Sequence, residues 1–335
     1  MAGKKTLQPL PIHPDHGLHT DYLCMMIPLI AWPTFLYGLR PLVVCLTAMV
    51  TARICDRIAC WLRSRRFDPS ENSSIAQALL LAMLMPASVP YYVVAVSVAF
   101  SVLLAKEAFG GYGAYPFHPT AVGYAVAAVS WPQYLFRYPT PFQGKLPLWG
   151  SLESISYSQG LSSAMRAGGV PNVTDMDLLL GNYPSLLGTA PVLIILGCGL
   201  FLLARRRINL WVPLSFLAGA AFIAWCFPRI GNAQGWLWQD AAQRLVSLRF
   251  ELFSGGMLFA AVFLSCEPGT CPKNRISRLV YGLVWGILTM MYRYYGNYDT
   301  GVCFALLVMN TSSGYIDRIV SRLVTNRKGV RRNVG

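Results

Sequence analysis

The chain has 335 residues, of which 55% are hydrophobic and only 13% charged, with a mean hydropathy of +0.45. Soluble domains carry about 25% charged residues, so a soluble double-wound enzyme of this length is excluded. The formal charge of +14 sits between apolar runs, where it sets topology rather than a nucleic-acid surface. Nine dispersed cysteines with no CxxC pair read as small packing residues, not as a metal or cluster site.

Residues 1–20 form a polar tail with Lys4, Lys5 and three of the four histidines (His13, His16, His19), without the apolar core of a signal peptide. Apolar runs follow at 21–38, 41–60, 75–86, 89–106, 118–135, 188–204, 210–227, 250–266, 279–294 and 301–317. These predict an all-α polytopic membrane protein with about ten transmembrane helices spread over 21–318, and a basic cytoplasmic tail over 319–335. Runs such as 75–86 fall short of the ~20 residues a helix needs to span, which predicts broken helices. With the N-terminus in the cytoplasm and every run crossing, twenty of the 28 Lys and Arg lie inside and eight outside. That asymmetry predicts ten crossings with both termini cytoplasmic.

The run Gly110-Gly111-Tyr112-Gly113-Ala114-Tyr115-Pro116-Phe117-His118-Pro119 interrupts this pattern. Glycines open φ/ψ space, prolines remove donors, and residues before proline leave the α region. Backbone freed in this way at membrane depth must be packed in protein or line a site. Tyr112, Tyr115 and Phe117 are candidates to stack on a ligand or to form core, and His118 is expected to be a packed, hydrogen-bonded histidine.

The longest interruption, 136–187, is expected outside. It holds Leu161-Ser162-Ser163-Ala164-Met165-Arg166-Ala167-Gly168-Gly169, whose small residues and arginine offer an anion nest, or simply a loop over the bundle. A second outer segment, 228–249, carries Trp236 and Trp238 as interfacial anchors. Pro86-Ala87-Ser88-Val89-Pro90 recurs as Pro268-Gly269-Thr270-Cys271-Pro272, both prolines displaced by 182 residues (268 − 86 and 272 − 90). Each is followed by an apolar run, a Tyr-Gly turn (Tyr112-Gly113, Tyr295-Gly296) and another apolar run. A shift of five crossings inverts the orientation, so the pattern predicts an inverted repeat with a site at its interface. Candidate ion-path acids are Glu107, Glu251, Glu267 and Asp299, since acids near membrane depth are expensive and often functional. Each also lies near a run end, where solvation or pairing would account for it.

The stretches GGYGAYPFHPTAVGYAVAAVSWP (110–132), DLLLGNYPSLLG (177–188), the block from Phe253 to Asn310 and the closing Tyr315-Ile316-Asp317-Arg318 resemble the RnfD-type membrane subunits of Rnf-type ion-translocating ferredoxin:NAD oxidoreductases. More distantly they are similar to the NqrB-type subunits of sodium-translocating NADH:quinone reductases. The resemblance implies a urea-transporter-like ten-helix fold with inverted repeats and a multi-pass location in the bacterial inner membrane. It implies partners in the other subunits of such a complex, coupled movement of Na⁺ or H⁺, and an FMN joined through its phosphate to an outer threonine in an Asp-Gly-x-Ser-x-Ala-Thr pattern. Here that pattern reads Gln159-Gly160-Leu161-Ser162-Ser163-Ala164-Met165, with Met165 at the threonine position, and a thioether forms no phosphoester. Three readings stay open: Ser162 or Ser163 accepts the phosphate, FMN or riboflavin binds without a covalent bond, or the chain carries no flavin. Gly111, Tyr112, Phe117 and His118 complete the expected flavin-contacting set, and Glu107, Glu267 and Asp299 the expected ion path.

Overall fold

The computed structural model of the chain describes residues 16–64, 71–142, 144–150, 155–167, 169, 171–229, 241–267, 269–296 and 300–332. Asp299, Trp236, Trp238 and Pro268 lie outside the described residues. Among the described residues the fold is mostly helical. Helices α1 (His16–Tyr37), α2 (Arg40–Leu62), α3 (Ser73–Met83), α4 (Tyr91–Ala99) and α5 (Pro119–Ser130) make the first half. The short helix α6 (Pro132–Leu135) follows, then a connecting segment with the strand pair β1 (Tyr138–Pro139) and β2 (Tyr157–Ser158) and the helices α7 (Leu161–Arg166) and α8 (Asp175–Leu180). The second half holds α9 (Val192–Ala204), α10 (Trp211–Cys226), α11 (Ala241–Phe253), α12 (Met257–Phe263), α13 (Arg275–Tyr295) and α14 (Val302–Arg332).

Every apolar run of the sequence falls on a helix, but the helices are not uniform rods. Among the described residues one helix, Tyr91–Phe109, is long and apolar enough to cross a membrane by itself. It is α4 continued through a π-helical stretch Phe100–Lys106 and a 3₁₀ turn Glu107–Phe109. The run 250–266, expected as a single crossing, is broken instead. Ser254, Gly255 and Gly256 separate α11 from α12, which are bent by 49°. Gly255 and Gly256 have φ of 61° and 77°, values that end a right-handed helix and that glycine adopts without a Cβ clash.

Close backbone approach joins the second half. Gly282 and Gly286 are four residues apart on one face of α13, and a Cβ at Gly286 would collide with the Phe216 carbonyl oxygen of α10. Small residues at this spacing let two helices meet backbone to backbone where no water-exclusion force drives them together. Trp285 and Phe216 stack beside the contact with ring centroids 4.1 Å apart. Across to α14, Tyr281 donates to Asn310 Oδ1 at 2.8 Å and the Trp285 indole N–H donates to the Val302 carbonyl at 3.2 Å. In the first half Arg40, at the start of α2, holds the break between α3 and α4. Its guanidinium donates to the carbonyls of Ala87 (3.0 Å), Val89 (3.3 Å) and Pro147 (2.7 Å). Backbone carbonyls freed by Pro86 and Pro90 thus find a buried donor, as a broken helix requires.

Candidate functional site

Two polar centres lie inside the helical core, one toward each end. The first is built on the loop between α4 and α5. Gly110, Gly111 and Gly113 all have positive φ (125°, 94° and 77°), and the chain folds back so that Tyr115 is buried. Its hydroxyl donates to Oε1 of Glu267. Gln77 of α3 donates from Nε2 to the other oxygen, Oε2, at 2.9 Å. Thr120, in the first turn of α5, donates to Gln77 Oε1 at 2.5 Å. Glu267 is 1% exposed, so a carboxylate from the break after α12 is clamped by donors from α3 and from the α4–α5 loop.

Beyond this clamp the network becomes ionic. The Lys106 ammonium is 2% exposed and donates to Glu71 Oε1 at 2.8 Å and Ser74 Oγ at 2.7 Å, with Glu107 Oε1 at 3.5 Å. Ser74 in turn donates to Asp56 Oδ1 at 2.6 Å. Glu107 is therefore not a lone acid. It pairs with Arg63 at 3.2 Å as well as with Lys106. The π-helical stretch that ends at Lys106 has a wider turn than an α-helix, a feature that recurs at functional positions; here it ends with the ammonium in the interior.

Of the expected ligand-contacting residues, Tyr112 packs edge-on against His19 (5.0 Å between centroids) and Tyr115 (6.3 Å). Gly111 is buried and Phe117 half-buried. His118 differs from expectation. It is fully buried, and neither ring nitrogen has a hydrogen-bond partner among the described residues. It caps α5 through backbone geometry, with the Val122 N–H donating to its carbonyl at 3.1 Å, and its imidazole is held by packing alone.

The second centre is at the other end of α13, a helix of 21 residues and hence about 31 Å long. Among the described contacts none joins Ser162 or Met165 to Gly111, Tyr112, Phe117 or His118; Met165 packs in its own apolar cluster and Ser162 bonds Arg293. Arg293, 1% exposed, organises this end. It donates to Ser162 Oγ (3.2 Å), to Ser254 Oγ (3.1 Å) and to the Glu251 carbonyl (2.7 Å), and it pairs with Glu251 Oε2 at 3.1 Å. The sequence signal for Arg293 is a lone arginine inside the apolar run 279–294, the kind of residue that marks a buried partner. Gln77 and Ser74 carry a similar signal: polar residues three apart, on one face of a short apolar run.

Around α7 the segment is tied down from several sides. Met165 is 1% exposed in an apolar cluster with Leu161, Leu178, Tyr183, Ala190 and Phe250. Arg166 donates to the Gly296 carbonyl. Thr174 caps α8, accepting from the Asp177 N–H at 3.2 Å and donating to the Asp177 carboxylate at 2.6 Å. That bond, joined by one from Asn182, holds the Asp177 carboxyl below the usual carboxylate range. Burial pushes the Tyr157 hydroxyl up.

Met165 and Ser162 do not fit a phosphate-linked FMN. Position 165 is a buried thioether. The Ser162 hydroxyl faces a cavity of about 20 Å³ lined by Tyr183, Ser185, Ser254 and Thr300. That is room for a water or a single ion, against the several hundred Å³ of a cofactor pocket. Ser163, half-buried on the other face of α7, is the remaining hydroxyl in the motif.

Such an architecture defines a class: a helical bundle of short and broken apolar helices whose joints are closed by buried charged and polar side chains. The chain belongs to the NQR2, RnfD, RnfE family, whose model matches residues 16–326. It is 30% identical to the D subunit of the ion-translocating oxidoreductase complex of Erwinia tasmaniensis, over 92% of this chain and 93% of that one. The corresponding proteins of Alcanivorax borkumensis (28% identity, 87% of this chain and 86% of the relative) and Escherichia fergusonii (28%, 92% and 93%) are similar throughout as well.

Proposed function

We propose that this chain is a membrane subunit of an ion-translocating electron-transport complex, assembled with the other subunits of that complex, and that it supplies part of the path for Na⁺ or H⁺. The observation that carries this reading is Glu267, a buried carboxylate bonded by both Tyr115 and Gln77 and backed by the Lys106–Glu71–Ser74–Asp56 network. A carboxylate at membrane depth is costly unless held or used, and a joint between moving halves is where an ion would be bound and released. Family membership and the relatives' names support the complex and the oxidoreductase setting.

The topology we propose is ten crossings of the bacterial inner membrane with both termini in the cytoplasm, built as an inverted repeat. Element starts support the repeat. Helices α3, α4 and α5 begin at 73, 91 and 119, and α12, α13 and α14 at 257, 275 and 302, so that the separations are 184, 184 and 183 residues. In this arrangement Gln77 of one repeat bonds Glu267 of the other. Coupling then requires that a redox-driven state change alter the affinity at this joint, since a ligand shifts an equilibrium only through its differential affinity for the two states.

A covalent FMN forms no part of this reading, since Met165 offers no hydroxyl and the Ser162 hydroxyl faces room for only a water or a single ion. A second reading, FMN or riboflavin held without a covalent bond, is favoured by the aromatic group His19, Tyr112 and Tyr115 beside the glycine loop; when bound, it would supply one- and two-electron transfer.

The test uses the purified complex in proteoliposomes, with ion uptake and electron transfer measured together in the parent and in Glu267→Gln. Loss of uptake with continued electron transfer is expected. Unchanged uptake would remove Glu267 from the path. Mass spectrometry of the 146–187 peptide, with flavin assayed after denaturation, decides the cofactor readings: an adduct at Ser162 or Ser163 would overturn the misfit, and released flavin supports the non-covalent reading.

A further inference from the structure

We propose that the turn joining α9 to α10 is a binding site for one anionic phospholipid, with Arg206 as the headgroup ligand. The turn carries three consecutive arginines, and they are not equivalent. Arg205 and Arg207 both reach back to the buried Asp21 of α1, with Nη2 of Arg205 to Oδ1 at 3.1 Å and Nε of Arg207 to Oδ2 at 3.0 Å. One carboxylate is therefore shared by two guanidinium groups, and its charge is spent on them. The Arg206 side chain between them is exposed and makes no ion pair or hydrogen bond among the described residues.

Its backbone is the second observation. Arg206 has φ +54° at the end of α9, where its N–H donates to the Leu203 carbonyl and that of Arg207 to Leu202, both at 2.9 Å. Helices often end this way on glycine, which takes the left-handed region without a Cβ clash. An arginine here accepts strain that glycine would not.

The side chain borders a groove of about 540 Å³ formed with Leu203, Arg207, Ile208, Asn209, Leu210, Trp211 and Leu214, a volume in the range of ligand sites. The walls are apolar yet open: Leu203 is 37% exposed, Leu210 43%, Trp211 44% and Leu214 58%. The apolar track continues up α9 through Leu200 and Leu196, both exposed and on the same helix face as Leu203. One end of the groove thus presents a planar cation suited to the oxygens of a phosphate, the other a lane for acyl chains, with a tryptophan between them at the level where indoles settle. Anionic headgroups on the cytoplasmic leaflet complement this charge. A protein partner would need polar groups across a desolvated rim, whereas the groove offers mostly apolar walls and, beside the Asp21-paired Arg207, one guanidinium that no carboxylate holds.

The inference rests on the proposed membrane reading, in which this turn faces the cytoplasm. Labelling an Asn209→Cys variant with a membrane-impermeant maleimide, against the parent background, in inverted and right-side-out vesicles tests that placement separately. The site itself is tested by native mass spectrometry of the detergent-purified complex, delipidated and then titrated with phosphatidylglycerol, phosphatidylcholine or inorganic phosphate. Variants Arg206→Gly and Arg206→Lys are compared with the parent. Arg206→Gly relaxes the backbone, so the fold is kept while the cation is lost. We expect retention of one phosphatidylglycerol to fall by about tenfold or more in Arg206→Gly, to be largely kept in Arg206→Lys, and phosphatidylcholine to be unaffected. Equal retention of both lipids in the parent, inorganic phosphate competing as an equal, or no change in Arg206→Gly would each overturn the assignment.

Discussion

Arg293 offers the sharpest energetic test. Both it and Glu251 are almost wholly removed from solvent, with side chains 0% and 2% exposed. The guanidinium serves three elements at once: Ser162 of α7, Glu251 of α11 and Ser254 of the α11–α12 break. Arg293→Met removes all four contacts and leaves the Glu251 carboxylate buried without its cation. Breaking a buried pair from one side costs about 3–5 kcal/mol, and the hydroxyls of Ser162 and Ser254 lose a charged donor. Glu251→Gln should be milder, because Arg293 keeps both hydroxyls and the residue-251 carbonyl; the loss of one charge-assisted contact is worth about 1.5–3 kcal/mol. The double variant Arg293→Met with Glu251→Gln buries no uncompensated charge, so it should be more stable than the sum of the singles. The assay is unfolding of the detergent-solubilised protein by titrated sodium dodecyl sulfate, read by tryptophan fluorescence. A loss below about 1 kcal/mol in Arg293→Met, or simple additivity in the double variant, would refute the view that this pair holds the α7 segment to the bundle.

Three further outcomes follow from the same contacts. Gly286→Val places a branched side chain against the Phe216 backbone and should destabilise by at least the 1–3 kcal/mol typical of overpacking, visible as a lowered thermal midpoint, whereas Gly197→Ala, with open space around it, should not. Tyr115→Phe removes one of the two donors to Glu267 and should lower coupled ion uptake more than assembly of the complex, measured by uptake per copurified complex; equal loss of both would mean a purely structural tyrosine. The Asp177 carboxyl lies below its ordinary value, so its stabilisation of α8 is complete above the unfolded value of about 3.9 and disappears as pH falls through the lower folded one. Proteolysis of 174–182 should therefore rise toward pH 3 in the parent, and Asp177→Asn should flatten that dependence.

Hydropathy makes the helical elements legible because a chain with so few charges has little choice but to hydrogen-bond its own backbone. The family stretches, the Pro-x-x-x-Pro breaks and the odd loop Gly110–Pro119 are also visible in one dimension, since proline and glycine act locally on φ and ψ. The break within 250–266 escapes a hydropathy reading, although Ser254-Gly255-Gly256 stands in plain sight; the surrounding apolar residues mask it as one run. His118 is expected from its type to be hydrogen-bonded, and nothing in its neighbours' identities says that both nitrogens are left to packing.

What the sequence determined by itself was the class, the helix positions and the misfit at Met165, because hydrophobicity, backbone permissiveness and the lack of a hydroxyl are properties of single residues. What only the tertiary structure decided was which polar residues meet. Gln77 and Glu267 are separated by 190 residues and Ser162 and Arg293 by 131, and no spacing rule connects them. In a low-dielectric interior a charge must find its partner wherever the fold brings one, so the pairing of Glu267 with Tyr115 and of Arg293 with Glu251 is a property of the assembled bundle and of no segment alone.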